Sequence, residues 1–241
     1  MTTLGILGGL GPMSSVYFYE MLTAHTRASC DQDHLHLLIS SRADTPDRTA
    51  FILGHSTANP LPVMTEEAVR LERAGADLLA IPCNTAHAFY EGVQAAVTIP
   101  VLNIIQQNAD FCHHLGLSRV GVLATEGTIA SEAYKDALAA VGIEYLTPNA
   151  DGQATVSRII YDEIKRGREP DLKSFLTVAD SLFSRGCERV ILGCTELSLL
   201  KRNHLSDPRF IDSMEVLALA AIRRCGKEAV GFAEDLTHYH P

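Results

Sequence analysis

Nowhere in the 241 residues is there a run of about 18 apolar side chains, so no segment is fit to cross a membrane. The opening Met1-Thr2-Thr3-Leu4-Gly5-Ile6-Leu7 lacks the basic stretch of a secretory leader and passes straight into a strand pattern, which points to a cytoplasmic chain. Positive charge is also scarce: 20 Lys and Arg stand against 29 Asp and Glu, a net charge of −9. Nucleic acid needs a basic surface, so that class of partner is excluded. The same field repels small anions, and an anionic substrate would need particular Arg or Lys side chains in its site. No complete nucleotide-binding loop is present. Gly5-Ile6-Leu7-Gly8-Gly9-Leu10-Gly11-Pro12 follows a strand, but Ser14 stands where the third glycine belongs and no Walker lysine follows. That loop reads as backbone lining a cleft. The six cysteines suit a reduced compartment better than a disulfide framework in a chain of this size. Zinc at Cys83, His87 and Cys194 lacks a convincing ligand spacing, so no metal is expected.

What is present is an ordinary globular composition, 46% hydrophobic and 20% charged, with length enough for two lobes of roughly 120 residues each. Short runs rich in Leu, Ile and Val lie at Leu4–Leu7, Leu35–Ile39, Leu78–Ile81, Val101–Ile104, Arg119–Leu123, Glu144–Leu146 and Val190–Leu192. They lack clean alternation, as strands covered on both faces should. Amphipathic stretches at Val63–Ala74, Ser131–Ala140, Ala154–Arg166 and Leu172–Ser184 lie between them, with Gly75, Gly142, Gly167 and Gly186 at their stops. This alternation is the signature of an α/β fold with mostly parallel sheets. The tail from Gly226, with His238 and His240, reads as a solvated terminus.

The chain also repeats itself weakly. Ala74-Gly75-Ala76-Asp77-Leu78-Leu79-Ala80-Ile81-Pro82-Cys83-Asn84-Thr85 parallels Arg185-Gly186-Cys187-Glu188-Arg189-Val190-Ile191-Leu192-Gly193-Cys194-Thr195-Glu196. Leu4-Gly5-Ile6-Leu7-Gly8 parallels Val120-Gly121-Val122-Leu123-Ala124 at nearly the same offset. Two similar lobes follow, each a parallel sheet flanked by helices, with the site in the cleft between them. The ranges are 1–99 for the first lobe, with 213–241 packing back on it, and 100–212 for the second. Ligands of open α/β sheets bind beyond the carboxyl ends of the strands, where Cys83 and Cys194 both fall. A helix N-terminus there is expected to lower a thiol pKa below its free value of roughly 8.5. Cys30, Cys112, Cys187 and Cys225 read as small buried hydrophobes.

Ile81-Pro82-Cys83-Asn84-Thr85-Ala86-His87 and Val190-Ile191-Leu192-Gly193-Cys194-Thr195-Glu196-Leu197 resemble the two signature segments of the aspartate/glutamate racemase family. The likeness runs over nearly the whole chain, from the Gly8-Gly9-Leu10-Gly11-Pro12-Met13 loop onward. It implies two α/β lobes, no pyridoxal phosphate or other cofactor, no metal, a homodimer, and a last helix near Met214–Cys225 that returns to the first lobe. The aspartate branch matches Arg48 and Lys165 to ligands of a side-chain carboxylate. His87 resembles that branch too, which favours aspartate over glutamate. Gly11, Met13 and Thr128 are assigned with them to the substrate's surroundings.

The residue types suit the chemistry. Racemisation removes the α-proton from one face of Cα and returns a proton to the other, so one thiolate and one thiol on opposite sides suffice. The Cα–H is a very weak acid, and donors around the substrate carboxylate must stabilise the carbanion. Asn84, Thr85 and Thr195 are candidates; helix N-capping is their structural alternative. A related two-cysteine isomerase of an unsaturated diacid, or a protein that binds a small acid without transforming it, remains the rival reading.

Overall fold

The computed structural model describes residues 2–240; Met1 and Pro241, the outermost positions of the two ranges above, lie outside them. The first half contains β1 (Thr3–Gly8), α1 (Pro12–His25), β2 (His36–Ser41), α2 (Arg48–Ile52), α3 (Leu61–Arg73), β3 (Leu78–Ala80), α4 (Tyr90–Ala95), β4 (Val101–Leu102) and α5 (Ile104–His114). The second contains β5 (Arg119–Ala124), α6 (Glu126–Ala130), α7 (Ala133–Ala140), β6 (Glu144–Leu146), α8 (Ala150–Arg158), α9 (Leu172–Ser184), β7 (Arg189–Gly193), α10 (Thr195–His204), β8 (Phe210–Asp212), α11 (Ser213–Arg224) and α12 (Glu234–Thr237).

The strands form two four-stranded sheets, ordered β2-β1-β3-β4 and β6-β5-β7-β8, with every pair parallel. The second order is the first repeated, so β3 and β7, which lead into Cys83 and Cys194, hold the same place in their sheets. Helices cover both faces of the inner strands, and all six residues of β1 are buried. The four glycines at the helix stops take φ values of 101, 77, 65 and 86° in chain order, the left-handed turn that ends a helix.

Several elements depart from the sequence reading. Val101–Leu102 pairs with β3 in the first sheet, although a division at 99/100 puts it in the second lobe. That strand is short because Asn103 accepts from the Ile105 and Gln106 amides and starts α5 at once. The expected 154–166 helix is α8 followed by a π turn at Ile159–Glu163 and a 3₁₀ turn at Ile164–Arg166. In the tail, His238 and His240 are exposed but Leu236 and Tyr239 are buried, with the Tyr239 ring centroid 5.2 Å from that of Phe111.

Two helices cross between the lobes. The helix that follows the last strand of the first sheet, α5, packs on α7 of the second lobe, and its counterpart α11 packs on α1 of the first. One apolar cluster therefore draws on both halves: Ile6 and Phe18 join Val122, Tyr134, Phe111 and Leu217. Burial of such surface at ~25 cal/mol per Å² is the main force holding the lobes together. No helix of the described residues is long and apolar enough to cross a membrane, and the six cysteines are free.

Candidate active site

The two strand-end thiols line one cleft. Its walls also include Leu10, Asp47, Arg48, Thr49, Asn84, Thr85, Thr125, Tyr161, Lys165, Thr195 and Glu196. Its interior volume is about 20 Å³, room for a water-sized molecule and too little for an amino acid. Cys83 is 7% exposed and Cys194 5%. Of the residues expected to surround a substrate, Arg48, Asn84, Thr85, Lys165 and Thr195 meet there. Gly11 and Met13 instead line a neighbouring cavity of about 650 Å³, which shares Lys165 and Glu196 with the cleft. Thr128 lies one layer back, its hydroxyl 2.8 Å from that of Thr85.

Arg48 opens α2 after Asp47, whose carboxylate caps the helix by accepting from the Ala50 amide at 2.9 Å. The guanidinium is aimed by carbonyls: it donates to Thr45 O at 3.2 Å, Pro46 O at 3.0 Å and Leu10 O at 3.0 Å. Its Nε is buried without a partner, and among the described residues no carboxylate lies within ion-pair distance of it. A buried-edge cation with no counter-ion beside an otherwise polar cleft is suited to receive an anion.

Asn84 does not project a free amide into the cleft. Its Nδ2 donates to Ser213 Oγ at 3.0 Å and its Oδ1 accepts from the Tyr134 hydroxyl at 2.7 Å. Nor does it cap a helix through its side chain. Thr85, Thr125 and Thr128 form a triangle of hydroxyls with sides of 2.8, 2.8 and 2.9 Å, and Thr195 donates to Ser14 Oγ at 2.9 Å. His87 is a satisfied core histidine. Nδ1 donates to Cys83 O at 2.9 Å, Nε2 accepts from the Ile104 amide at 3.2 Å, and burial holds its pKa below the ordinary imidazole value. Both nitrogens are engaged, so it fixes the Cys83 backbone and has no lone pair for a metal.

The helix-terminus argument for the thiols needs correction. Cys83 is followed by a 3₁₀ turn, Thr85–Phe89, rather than an α-helix. Cys194 does sit at the N-cap of α10, yet burial, and next the charge of Glu196, push its pKa well above the ordinary thiol value; Lys165 opposes them. Desolvation outweighs the helix dipole in the closed cleft.

The sequence reading gave no role to Glu196 or Tyr161, both in the cleft wall. Glu196 accepts from the Cys194 thiol at 3.0 Å through Oε2 and pairs with Lys165 Nζ at 3.0 Å through Oε1. Burial alone would lower the Lys165 pKa, but the Glu196 charge and then the thiols hold the ammonium above its usual range. Tyr161 reaches from the π turn to the first lobe, where its hydroxyl donates to Thr49 Oγ1 at 2.9 Å; burial pushes its pKa up to about 12. Its position four residues before Lys165 was the available signal, one helical turn on the same face.

Two parallel α/β lobes of one strand order thus close on a small polar cleft at equivalent strand ends. The chain belongs to the Asp/Glu/hydantoin racemase family, whose pattern matches residues 7–221. It is 30% identical to the broad specificity amino-acid racemase RacX of Bacillus subtilis (strain 168) over 223 residues, 91% of this chain and 96% of that one. The fold superposes on a Picrophilus torridus aspartate racemase with a TM-score of 0.84 at 28% identity, covering 95% and 96% of the two chains. A Francisella tularensis glutamate racemase solved with D-glutamate shares the fold at a TM-score of 0.66 and 20% identity, over 92% of this chain and 80% of that one.

Proposed function

We propose that the protein interconverts L- and D-aspartate by proton transfer at Cα between Cys83 and Cys194, without a cofactor. The observation that carries this reading is the convergence of two thiols, one from each sheet and at the same strand position, on a cleft that also presents an unpaired Arg48. Arg48 would grip the side-chain carboxylate in a bidentate manner, with Lys165 as a second cation. Thr85 and Thr195 hydroxyls, together with backbone amides at the start of α10, would meet the α-carboxylate, where charge develops as Cα–H breaks. Asn84 serves the site by being held still rather than by touching the substrate. Because the cleft holds only about 20 Å³, the lobes must part to admit an amino acid and close to exclude water around the carbanion.

A wider substrate range has one observation in its favour. The cavity of about 650 Å³ behind Lys165 and Glu196 is lined in part by Met13, Ile164, Leu199 and Leu200, space that a longer side chain could enter. The test is chirality over time for aspartate, glutamate and neutral amino acids in D₂O, with chelator and without pyridoxal phosphate. Aspartate should racemise with deuterium entering at Cα. Racemisation without solvent deuterium, or none until a cofactor is added, defeats the reading.

A further inference from the structure

Glu196 has one carboxylate and two demanding partners. Oε2 accepts from the Cys194 thiol, and Oε1 holds the Lys165 ammonium, each at 3.0 Å. Its side chain is 8% exposed, and both Lys165 and Glu196 line the cleft and the large cavity alike. The pair therefore forms the partition between the two spaces. Among the described residues Glu196 is the one side-chain acceptor within hydrogen-bond reach of the Cys194 thiol. The other ionisable groups facing the cleft are Cys83, Asp47, Arg48 and Tyr161.

We propose that Glu196 is a proton relay for Cys194 that substrate itself switches on: a substrate carboxylate draws Lys165 away from Glu196, and the carboxylate then takes the Cys194 proton. This rests on the two-thiol reading above. In the empty site Lys165 holds Glu196 in an ion pair, and burial keeps the Cys194 thiol protonated. A ligand carboxylate at the partition competes for the same ammonium. Glu196 is then left as a buried carboxylate without its cation, a costly arrangement that taking up a proton relieves. The Cys194 S–H bond breaks and an O–H bond forms on Oε2. The negative charge moves from carboxylate to sulfur.

The thiolate then takes the α-proton: Cα–H breaks, S–H forms, and the electron pair stays on the substrate. Cys83 gives its proton to the other face and becomes the thiolate. When product leaves, Lys165 returns to Glu196, which releases its proton to water, and Cys83 regains one. The three groups hold two protons at the start and at the end.

Glu196→Gln keeps the size and a hydrogen-bonding carbonyl but cannot accept the proton. It is introduced separately into Cys83→Ser, where only the Cys194 face can exchange, and into Cys194→Ser, where only the Cys83 face can. α-Proton exchange of each aspartate enantiomer in D₂O is then followed against pH. The relay requires the loss caused by Glu196→Gln to be at least about tenfold larger on the Cys194 face. The remaining Cys194-face exchange should climb with pH as the thiol ionises unaided. Equal losses on both faces, or no loss on the Cys194 face, overturn the relay and leave the two-thiol reading standing. If Cys83→Ser with Glu196 intact exchanges neither enantiomer, the two-thiol reading falls and the relay with it. A second measurement needs no change at Glu196: succinate at saturation should raise the ultraviolet thiolate absorbance of Cys83→Ser protein, and alanine should not. An unchanged absorbance with succinate overturns the switch.

Discussion

Tyr134 and Asn84 are joined across the seam between the lobes: the phenol of α7 donates to Asn84 Oδ1 at 2.7 Å, beside Cys83. The bond continues on the far side of Asn84. Its amide donates to Ser213 Oγ at 3.0 Å, and the Ser213 hydroxyl donates to Leu192 O at 2.7 Å, two residues before Cys194. A continuous buried chain thus ties one thiol-bearing strand end to the other.

Tyr134→Phe should remove the anchor of that chain on α7 without creating a void. It leaves Asn84 Oδ1 buried and unpaired, which costs about 1–3 kcal/mol of stability in a urea titration. The misplaced Cys83 backbone should lower kcat for aspartate racemisation more than it changes KM. A stable variant with full kcat would show that the Tyr134 anchor does not position the thiol.

Arg48→Lys keeps the charge and removes the planar fork that three carbonyls aim. KM for aspartate should rise by about tenfold or more, while any activity on alanine should change far less. Equal effects on both substrates would mean that Arg48 only braces the Leu10 loop.

Gly127→Ala tests the seam by wedging it. A Cβ at Gly127 would lie 2.8 Å from Thr49 Cα, next to Arg48 and beneath the Tyr161 hydroxyl. The helix itself would prefer alanine by about 1 kcal/mol, so a net loss of stability reports the clash. The expected outcome is a lowered melting temperature and a raised KM for aspartate. Unchanged values for both would show that α2 and α6 slide apart freely.

Asp212 should give the fold a pH dependence. Its Oδ1 accepts from Ser198 Oγ at 2.6 Å and from the Met214 amide at 2.9 Å, while Oδ2 is buried without a partner. Burial first, and the charge of Glu215 next, push its pKa from 3.8 up to about 6, with Lys201 opposing. The folded state therefore binds more protons than the unfolded chain between those values, and stability falls as pH rises through that window. Above it the deficit stays constant. Asp212→Asn preserves a good capping residue and removes the titration. Urea midpoints should show the variant gaining on the natural protein from pH 4 to 7. A constant difference across that range would refute the assignment.

Much of this was readable in the residues because the chain carries the pattern twice. The strand ends at Cys83 and Cys194 and the glycine helix stops have local signals that both copies carry. Nothing local marks Glu196 as a partner of the thiol, because an acidic residue in the first turn of a helix is common for its charge alone. Its ammonium partner, Lys165, is remote in sequence and comes close only through the π turn at Ile159–Glu163. The strand β8 is three residues long and merges into the α11 cap, leaving too little sequence for a periodic signal. That α5 and α11 each complete the opposite lobe depends on surfaces that no local pattern encodes.

The repeated strand order has a stereochemical consequence. A flat carbanion has two faces that a half-turn about an axis lying in its plane exchanges, and two like lobes related by such a half-turn would present one reactive group to each face. Duplicating a fold with one reactive group at a strand end therefore delivers a reagent to each face without evolving a second one. It also leaves the two faces chemically unequal as soon as the copies drift, as Asn84-Thr85 and Thr195-Glu196 have. The equilibrium between mirror-image amino acids must still stand at one to one in achiral water. On the two-thiol reading, any such inequality shows itself in the separate kcat and KM of each direction, whose ratios must match, and never in the mixture left behind.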